Sequence, residues 1–210
     1  MPPVLTLQSL PLFPLGTVLF PGGLLPLRIF EVRYLDMIGR CRKAGAPFGV
    51  VALTQGSEVR LSGATEAFAD VGTLATIAEL ERPQPGLMMI QARGTQRFRV
   101  TSRDRLKHGL WVADIERVPD DMAVAIPSDL KGAARALASL IGSLRQRAGD
   151  PRQPSVQDPL QLDDCGWVAN RWCELLPLPT QLKQRLLELD NPLIRLELVS
   201  DVLARTGIAS

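Results

Sequence analysis

The spacing of apolar residues changes near the middle of the chain. Between residues 10 and about 118 they come in short runs or alternate with polar ones. Between 128 and 206 they recur every three or four positions. Alternation marks strands, and three-to-four spacing marks amphipathic helices. The first half opens with "LPLFPL" and "LLPLRIF", two apolar strands joined by the turn "FPGGL". "EVRYLDMIGRCRKAG" reads as a helix with Val32, Leu35, Ile38 and Cys41 facing inward and Gly45 as its stop. "FGVVAL" reads as a buried strand. "VGTLATIAELE" and "GLMMIQAR" read as two strands joined by "RPQPG". "TQRFRVTSRD" alternates strictly as a further strand, and "LWVADIERV" closes the β half.

"PDDMAVAIPSD" carries the linker between the halves. Ser128 is then expected to cap a helix whose stripe is Leu130, Ala134, Leu137, Ile141 and Leu144. Asp158 and Pro159 read as a cap followed by a proline at the first helical position. The stripe of that helix would be Leu162, Cys165, Val168, Trp172 and Leu175. Trp172 is expected inward and Trp167 beside it. "LPTQLKQRLLEL" is a short helix. Asn191 and Pro192 repeat the cap-then-proline signal for a last helix, in which Leu196, Val199 and Leu203 face inward and Gly207 is the stop. The pattern predicts an α+β chain with residues 1–118 as a β subdomain, 119–127 as a linker and 128–210 as a helical bundle.

No charged side chain occurs between Met1 and Leu27. A membrane-spanning helix needs about 20 continuous apolar residues. Pro2, Pro3, Pro11, Pro14, Pro21 and Pro26 interrupt this run, and an interior proline costs a helix about 3 kcal/mol. The run does not read as an export signal either, because its first basic residue, Arg28, stands after the apolar stretch. Buried strands remain, and no membrane association is expected.

Composition adds few constraints. A net charge of +2 over 210 residues demands neither nucleic acid nor membrane as partner. Cys41, Cys165 and Cys173 form no C-x-x-C pair. Cys165 and Cys173 would stand about 12 Å apart along one helix, too far for a disulfide. The expectation is three small buried side chains in a reducing, cytoplasmic setting. The single histidine, His108, lies in the turn "LKHGL", so no triad is apparent. There is no phosphate-binding G-x-x-x-x-G-K motif and no cluster of zinc ligands. Asp163, Asp164 and Glu174 could be imagined as an acid set. Asp163 and Asp164 instead fit the first turn of a helix, where the dipole favours carboxylates. No enzyme activity, cofactor or metal is expected.

One charge pattern stands out. In "RGTQRFRVTSRDRLK", Arg93, Arg97, Arg99, Arg103, Arg105 and Lys107 all fall on odd positions. On an unbroken strand they would share one face. Arg97, Arg99, Arg103 and Arg105 would then offer an anion- or nucleic-acid-binding strip. Glu79, Glu81, Asp114 and Glu116 also recur with period two, and cross-strand pairing with them would neutralise the ladder. Nucleic acid is disfavoured as a partner, because only Phe98 lies near enough to stack, and it falls on the opposite face.

Four stretches carry a family resemblance. "LPLFPLGTVLFPGGLLPLRIFEVRY", "VGTLATIAEL", "ARGTQRFRV" and "LPLPTQLKQRLLELDNPLIRLELV" follow in order from about Leu10 to Arg205. Together they resemble the LON substrate-binding domains, the N-terminal domain of ATP-dependent Lon proteases. The resemblance implies a PUA-like twisted antiparallel β-barrel followed by a helical bundle. It also implies recognition of unfolded or tagged polypeptides, with a protease or chaperone among the partners. "RIFEVRYLDMI" is more similar to stand-alone LON-domain proteins than to Lon proteases proper, so an independent small protein is expected. Recognition is expected to be hydrophobic and centred on the "LFPGGLL" turn, at Phe20, Leu24 and Leu25.

Overall fold

The computed structural model describes residues 6–56, 66–146 and 159–207. The chain divides into two compact units, Met1–Asp120 and Asp121–Ser210.

Among the described residues, the first unit holds seven strands and one helix. In chain order these are β1 (Thr6–Leu15), β2 (Leu24–Ile29), α1 (Val32–Ala44), β3 (Phe48–Gln55), β4 (Ala67–Phe68), β5 (Val71–Gln84), β6 (Leu87–Arg105) and β7 (Trp111–Arg117). The pairing runs β1-β7-β6-β5-β3, and β3 returns to β1 as a parallel neighbour. The path therefore closes into a five-stranded ring in which every other pairing is antiparallel. It is not a clean barrel. β4 hangs on β3, and β2 pairs with the first half of β6. There β2, β6 and the far end of β5 form a three-stranded arm.

Two apolar clusters explain why the strands read as continuous runs. Leu10, Leu12, Val51, Leu74, Phe98, Ala113 and Ile115 come from all five ring strands and fill the ring. Phe13, Leu15, Phe48, Val50, Ala75, Ile90 and Ala92 point the other way. They pack with Tyr34, Met37, Ile38 and Cys41 of α1. A strand buried on both faces carries apolar residues at successive positions. The ring interior is narrow. A Cβ on Gly49 or Gly72 would meet the Phe98 ring at 2.8 or 2.7 Å.

Two expectations change in this unit. "GLMMIQAR" and "TQRFRVTSRD" form one 19-residue strand, β6. Its sequence looked like two strands because register shifts interrupt it, beside Gly94–Arg97 and beside Val100–Ser102. In α1 the inward stripe is Tyr34, Met37, Ile38 and Cys41, while Val32 is 72% exposed. Gly45 does stop α1, with φ 61°.

The second unit holds α2 (Lys131–Gln146), α3 (Cys165–Leu175), α4 (Thr180–Glu188) and α5 (Pro192–Thr206). α3 is the central element and packs against the other three. Trp172 is buried and donates its indole N–H to the Ala133 carbonyl at 3.0 Å, with Trp167 half-buried beside it. Asn191 caps α5 by accepting from the Leu193 and Ile194 N–H groups, and Gly207 ends it with φ 70°. Leu196, Val199 and Leu203 are buried as expected.

Two helix starts differ from expectation. α2 begins at Lys131, so Ser128 stands ahead of the cap position, in a turn closed from Leu130 N–H to Pro127 O. α3 begins at Cys165 and its cap is Asp164, which accepts from Trp167 N–H at 2.7 Å. Asp158 lies outside the described residues, and Leu162 precedes the helix. Asp164 is chosen by a tertiary bond. Its other oxygen accepts from Val124 N–H at 3.1 Å. Bonds from Cys165 N–H to Val124 O and from Ile126 N–H to Asp163 O complete a small bridge. Residues 121–127 are thus fastened to the second unit.

Candidate functional site

The "LFPGGLL" turn is a structural clasp. Gly23 N–H bonds to Phe20 O at 3.0 Å across Pro21 and Gly22. Gly22 has φ 77°, the left-handed value a type II turn requires. Gly22 N–H donates to Gly94 O and Gly94 N–H donates to Gly23 O, each at 2.9 Å. Thr73 donates its hydroxyl to Leu19 O at 2.6 Å. Phe20 is fully buried, so it presents no surface.

Leu24 and Leu25 are both half-buried but do not share a face. Leu25 stands opposite Ala92, whereas Leu24 stands opposite Arg93. Leu25 packs on the cluster beneath α1 together with Leu27, Leu35, Ile77, Leu80 and Met88. These six half-buried side chains come from β2, α1, β5 and β6 and border one core. Phe30 and Val32, which follow β2 directly, are 53% and 72% exposed. The result is an apolar rim on the inner face of the arm. Sequence reasoning found Leu25 and missed the other five. Four of them lie on three strands that become neighbours only in the fold, and Leu35 lay in the helical stripe of α1.

The arginine ladder does not form a strip. Each register shift adds a residue to one strand and reverses which parity faces which side. Arg93 pairs with Thr76, and Arg97 and Arg99 pair with Thr73 and Val71 on the opposite face. Beyond the second shift, Arg103 and Arg105 stand opposite Ala113 and Trp111, on the ring-interior side. Arg97 is buried. Arg103 pairs with Asp70 and lies 4.8 Å over the Phe68 ring. Arg105 lies 5.3 Å over the Trp111 ring and 3.6 Å from Glu66. The Glu66 carboxylate also accepts from the Trp111 indole at 2.8 Å and lies 3.8 Å from Arg33. Of the four acids expected to neutralise the ladder, only Glu116 stands in register with one of its arginines, Arg99. Glu79 and Glu81 oppose Gln91 and Met89. Asp114 instead secures both bulged strands, accepting from Ser9 N–H at 3.0 Å and the Ser102 hydroxyl at 2.9 Å. Those two bonds hold its carboxyl below the usual range.

The imagined acid set is dispersed. Asp164 is a cap, Asp163 is exposed, and Glu174 sits near the end of α3. No group of three potential metal ligands occurs among the described residues. His108 is exposed in its turn. All three cysteines are buried free thiols. Burial pushes each upward, Cys173 to about 12, so none is a ready nucleophile. No helix among the described residues is long and apolar enough to cross a membrane.

Glu174 carries a pH signature. Its side chain is 21% exposed and accepts from Arg171 at 2.8 Å. Burial outweighs the pull of Arg171 and Lys183 and pushes the carboxyl up from 4.5 to about 7. Below 4.5 both folded and unfolded chains hold this proton. Between 4.5 and 7 only the folded chain keeps it, so stability falls as pH rises and levels off above 7. The expected fall is about 3 kcal/mol at most, since the rise spans about two to three units and one unit corresponds to about 1.4 kcal/mol. Glu174→Gln should flatten this part of the profile in denaturant titrations. An unchanged slope would refute the assignment.

The family model for the ATP-dependent protease La (LON) substrate-binding domain matches residues 9–205. The Lon protease of Anaeromyxobacter dehalogenans (strain 2CP-C) is 28% identical over 215 residues, covering 97% of this chain and 24% of that protein. The Lon protease of Paraburkholderia phytofirmans (strain DSM 17436 / LMG 22146 / PsJN) is 29% identical over 202 residues, covering 90% of this chain and 23% of that protein. The chain thus spans about a quarter of the length of these curated relatives. Among solved structures, a Lon N-terminal domain protein from Xanthomonas campestris is 32% identical with a TM-score of 0.67, covering 93% of this chain and 98% of that one. The N-terminal domain of Mycobacterium avium complex Lon protease shares the fold at 20% identity and a TM-score of 0.60, covering 92% of this chain and 97% of that one. With the matched region reaching from strand β1 to helix α5, the chain belongs to the family of LON substrate-binding domains.

Proposed function

We propose that this chain is a polypeptide-recognition module that binds unfolded or tagged protein substrates without transforming them, for delivery to a protease or chaperone. The observation that supports this most directly is the apolar rim of Leu25, Leu27, Leu35, Ile77, Leu80 and Met88 around one core cluster. Half-buried apolar side chains on a firm sheet give a client segment area to cover at about 25 cal/mol per Å². They need no deep pocket. The neighbouring β2 is an edge strand, paired only with β6 among the described residues. Pro26 removes one donor from β2, which discourages indiscriminate strand addition and leaves side-chain contact as the main source of affinity.

The test uses a permanently unfolded client, such as a reduced and alkylated protein, and measures binding by fluorescence anisotropy. Leu25→Gln combined with Leu80→Gln is expected to weaken binding about tenfold, the equivalent of about 1.4 kcal/mol. Arg93→Ala with Arg99→Ala, both exposed, should leave it unchanged. Added salt should not weaken the complex, as it would a phosphate-driven one. Phe30→Ser with Val32→Ser provides a second variant at exposed positions, in case the leucine pair alters folding. Full affinity in both folded apolar variants, or a steep loss of binding with salt, would overturn the reading.

A further inference from the structure

We propose that a groove beside α2 in the second unit receives the C-terminal end of a polypeptide, an apolar side chain on its floor and the terminal carboxylate on Lys131 and Arg135. This rests on the polypeptide-recognition reading above and assigns a second, chemically distinct subsite. The groove has a volume of about 540 Å³. That falls within the range of about 300–1,000 Å³ typical of ligand sites. Ala134 and Ala138 of α2 form one wall, and Ala125, Ile126 and Leu162 line the rest of its apolar surface. Small side chains at Ala125, Ala134 and Ala138 create the room. The opposite segments are fixed, because Ile126 N–H bonds to Asp163 O and Cys165 N–H bonds to Val124 O.

The charges around this floor are arranged for a chain end that is anionic at its tip. Lys131 and Arg135 are exposed and four residues apart, hence on one face of α2. Neither makes an ion pair with another described residue. Asp163 lines the groove as well and is likewise exposed. A terminal carboxylate meets the two cations, while Asp163 suits an upstream amide N–H or basic side chain. A fatty acid would match the cations and the floor but would leave Asp163 against its alkyl chain. A nucleic acid would find no aromatic surface in the lining to stack on.

The experiment compares three fluorescent probes on the full chain. One is a short peptide with an apolar last residue and a free carboxylate. The second is the same peptide as its C-terminal amide. The third is an unfolded client blocked at both ends. The amide is expected to bind at least tenfold more weakly than the acid. Lys131→Ala with Arg135→Ala should abolish that difference and leave the blocked client unaffected. Decanoate should not displace the peptide. Equal binding of acid and amide, or discrimination that survives the double substitution, would overturn the subsite while blocked-client binding keeps the broader reading. Displacement by decanoate at the peptide's own concentration would reassign the groove to fatty acids. Failure of all three probes to bind would overturn both proposals.

Discussion

Replacing Arg195 with leucine is expected to unfold the second unit under mild denaturing conditions. Arg195 is 1% exposed, yet its guanidinium is fully engaged. Nε donates to Leu186 O at 2.9 Å. Nη1 donates to Asp121 Oδ2 at 2.5 Å and to Asn170 Oδ1 at 3.1 Å. Nη2 donates to Asp121 Oδ1 at 3.4 Å and also to Leu189 O. One side chain thereby joins the segment after the unit boundary to α3, to the end of α4 and to α5. Leucine would remove the guanidinium from Asp121 and leave the amide and both carbonyls short of a donor. Breaking a buried pair from one side costs about 3–5 kcal/mol. That is a large share of the 5–15 kcal/mol that holds a typical domain together. Lysine keeps the charge but not the planar fork, so Arg195→Lys should recover only a fraction. Adding Asp121→Asn to Arg195→Leu should restore part of the loss, because it removes the orphaned carboxylate. Urea titration followed by far-ultraviolet circular dichroism measures all three. A loss below about 1 kcal/mol for Arg195→Leu would show that the network is dispensable.

Arg195 also shows where the sequence stops being informative. Arginine is usually exposed. Nothing in "PLIRLELV" marks this one as buried, and its partners lie 6, 9, 25 and 74 residues away. Signals confined to a few residues were legible. Asn191 followed by Pro192, and the glycines after α1 and α5, mark helix ends through bonds made within one turn. Asp158–Pro159 offered the same local signal for α3, but the helix starts at Cys165 with Asp164 as its cap, where a bond to Val124 makes a second use of the carboxylate. The β order was legible from runs and turns. The closing of the ring through a parallel β1–β3 pair was not, since no local pattern specifies it. The arginine ladder failed at its register shifts, because an extra residue in one strand is a property of the pair. Leu24 and Leu25 are different. Adjacent residues on a strand face opposite ways, so the sequence itself separates them.

Gly94→Ala is expected to destabilise the first unit by about 2–4 kcal/mol, more than most exchanges of glycine for alanine. Gly94 does not have a positive φ, so its backbone conformation suits any residue and the defect would be one of room. A Cβ there would stand 2.3 Å from the Phe20 carbonyl oxygen, 3.2 Å from its carbon and 3.0 Å from Leu19 Cγ. A flexible side chain could swing away from such a contact, but a backbone carbonyl must carry its turn with it. The turn is held by both Gly94 bonds and by the Thr73 hydroxyl on Leu19 O. Moving it gives up two hydrogen bonds at about 0.5–1.5 kcal/mol each. It also draws Phe20 out of close packing, at about 1–3 kcal/mol. Thr73→Val alone should cost about 1–3 kcal/mol by stranding the Leu19 carbonyl. Combined with Gly94→Ala it should cost less than the sum, because both loosen the same turn. Thermal melts of the two single variants and the double variant measure this coupling. Strict additivity, or a Gly94→Ala protein that melts with the parent, would show that the clasp does not hold the turn. The same coupling bears on binding, since β2 begins at Leu24, one residue past the clasp, and carries Leu25 and Leu27 of the apolar rim. A client-binding loss in Gly94→Ala would therefore reflect a displaced strand, and only substitutions that leave the clasp intact can report contact at the rim.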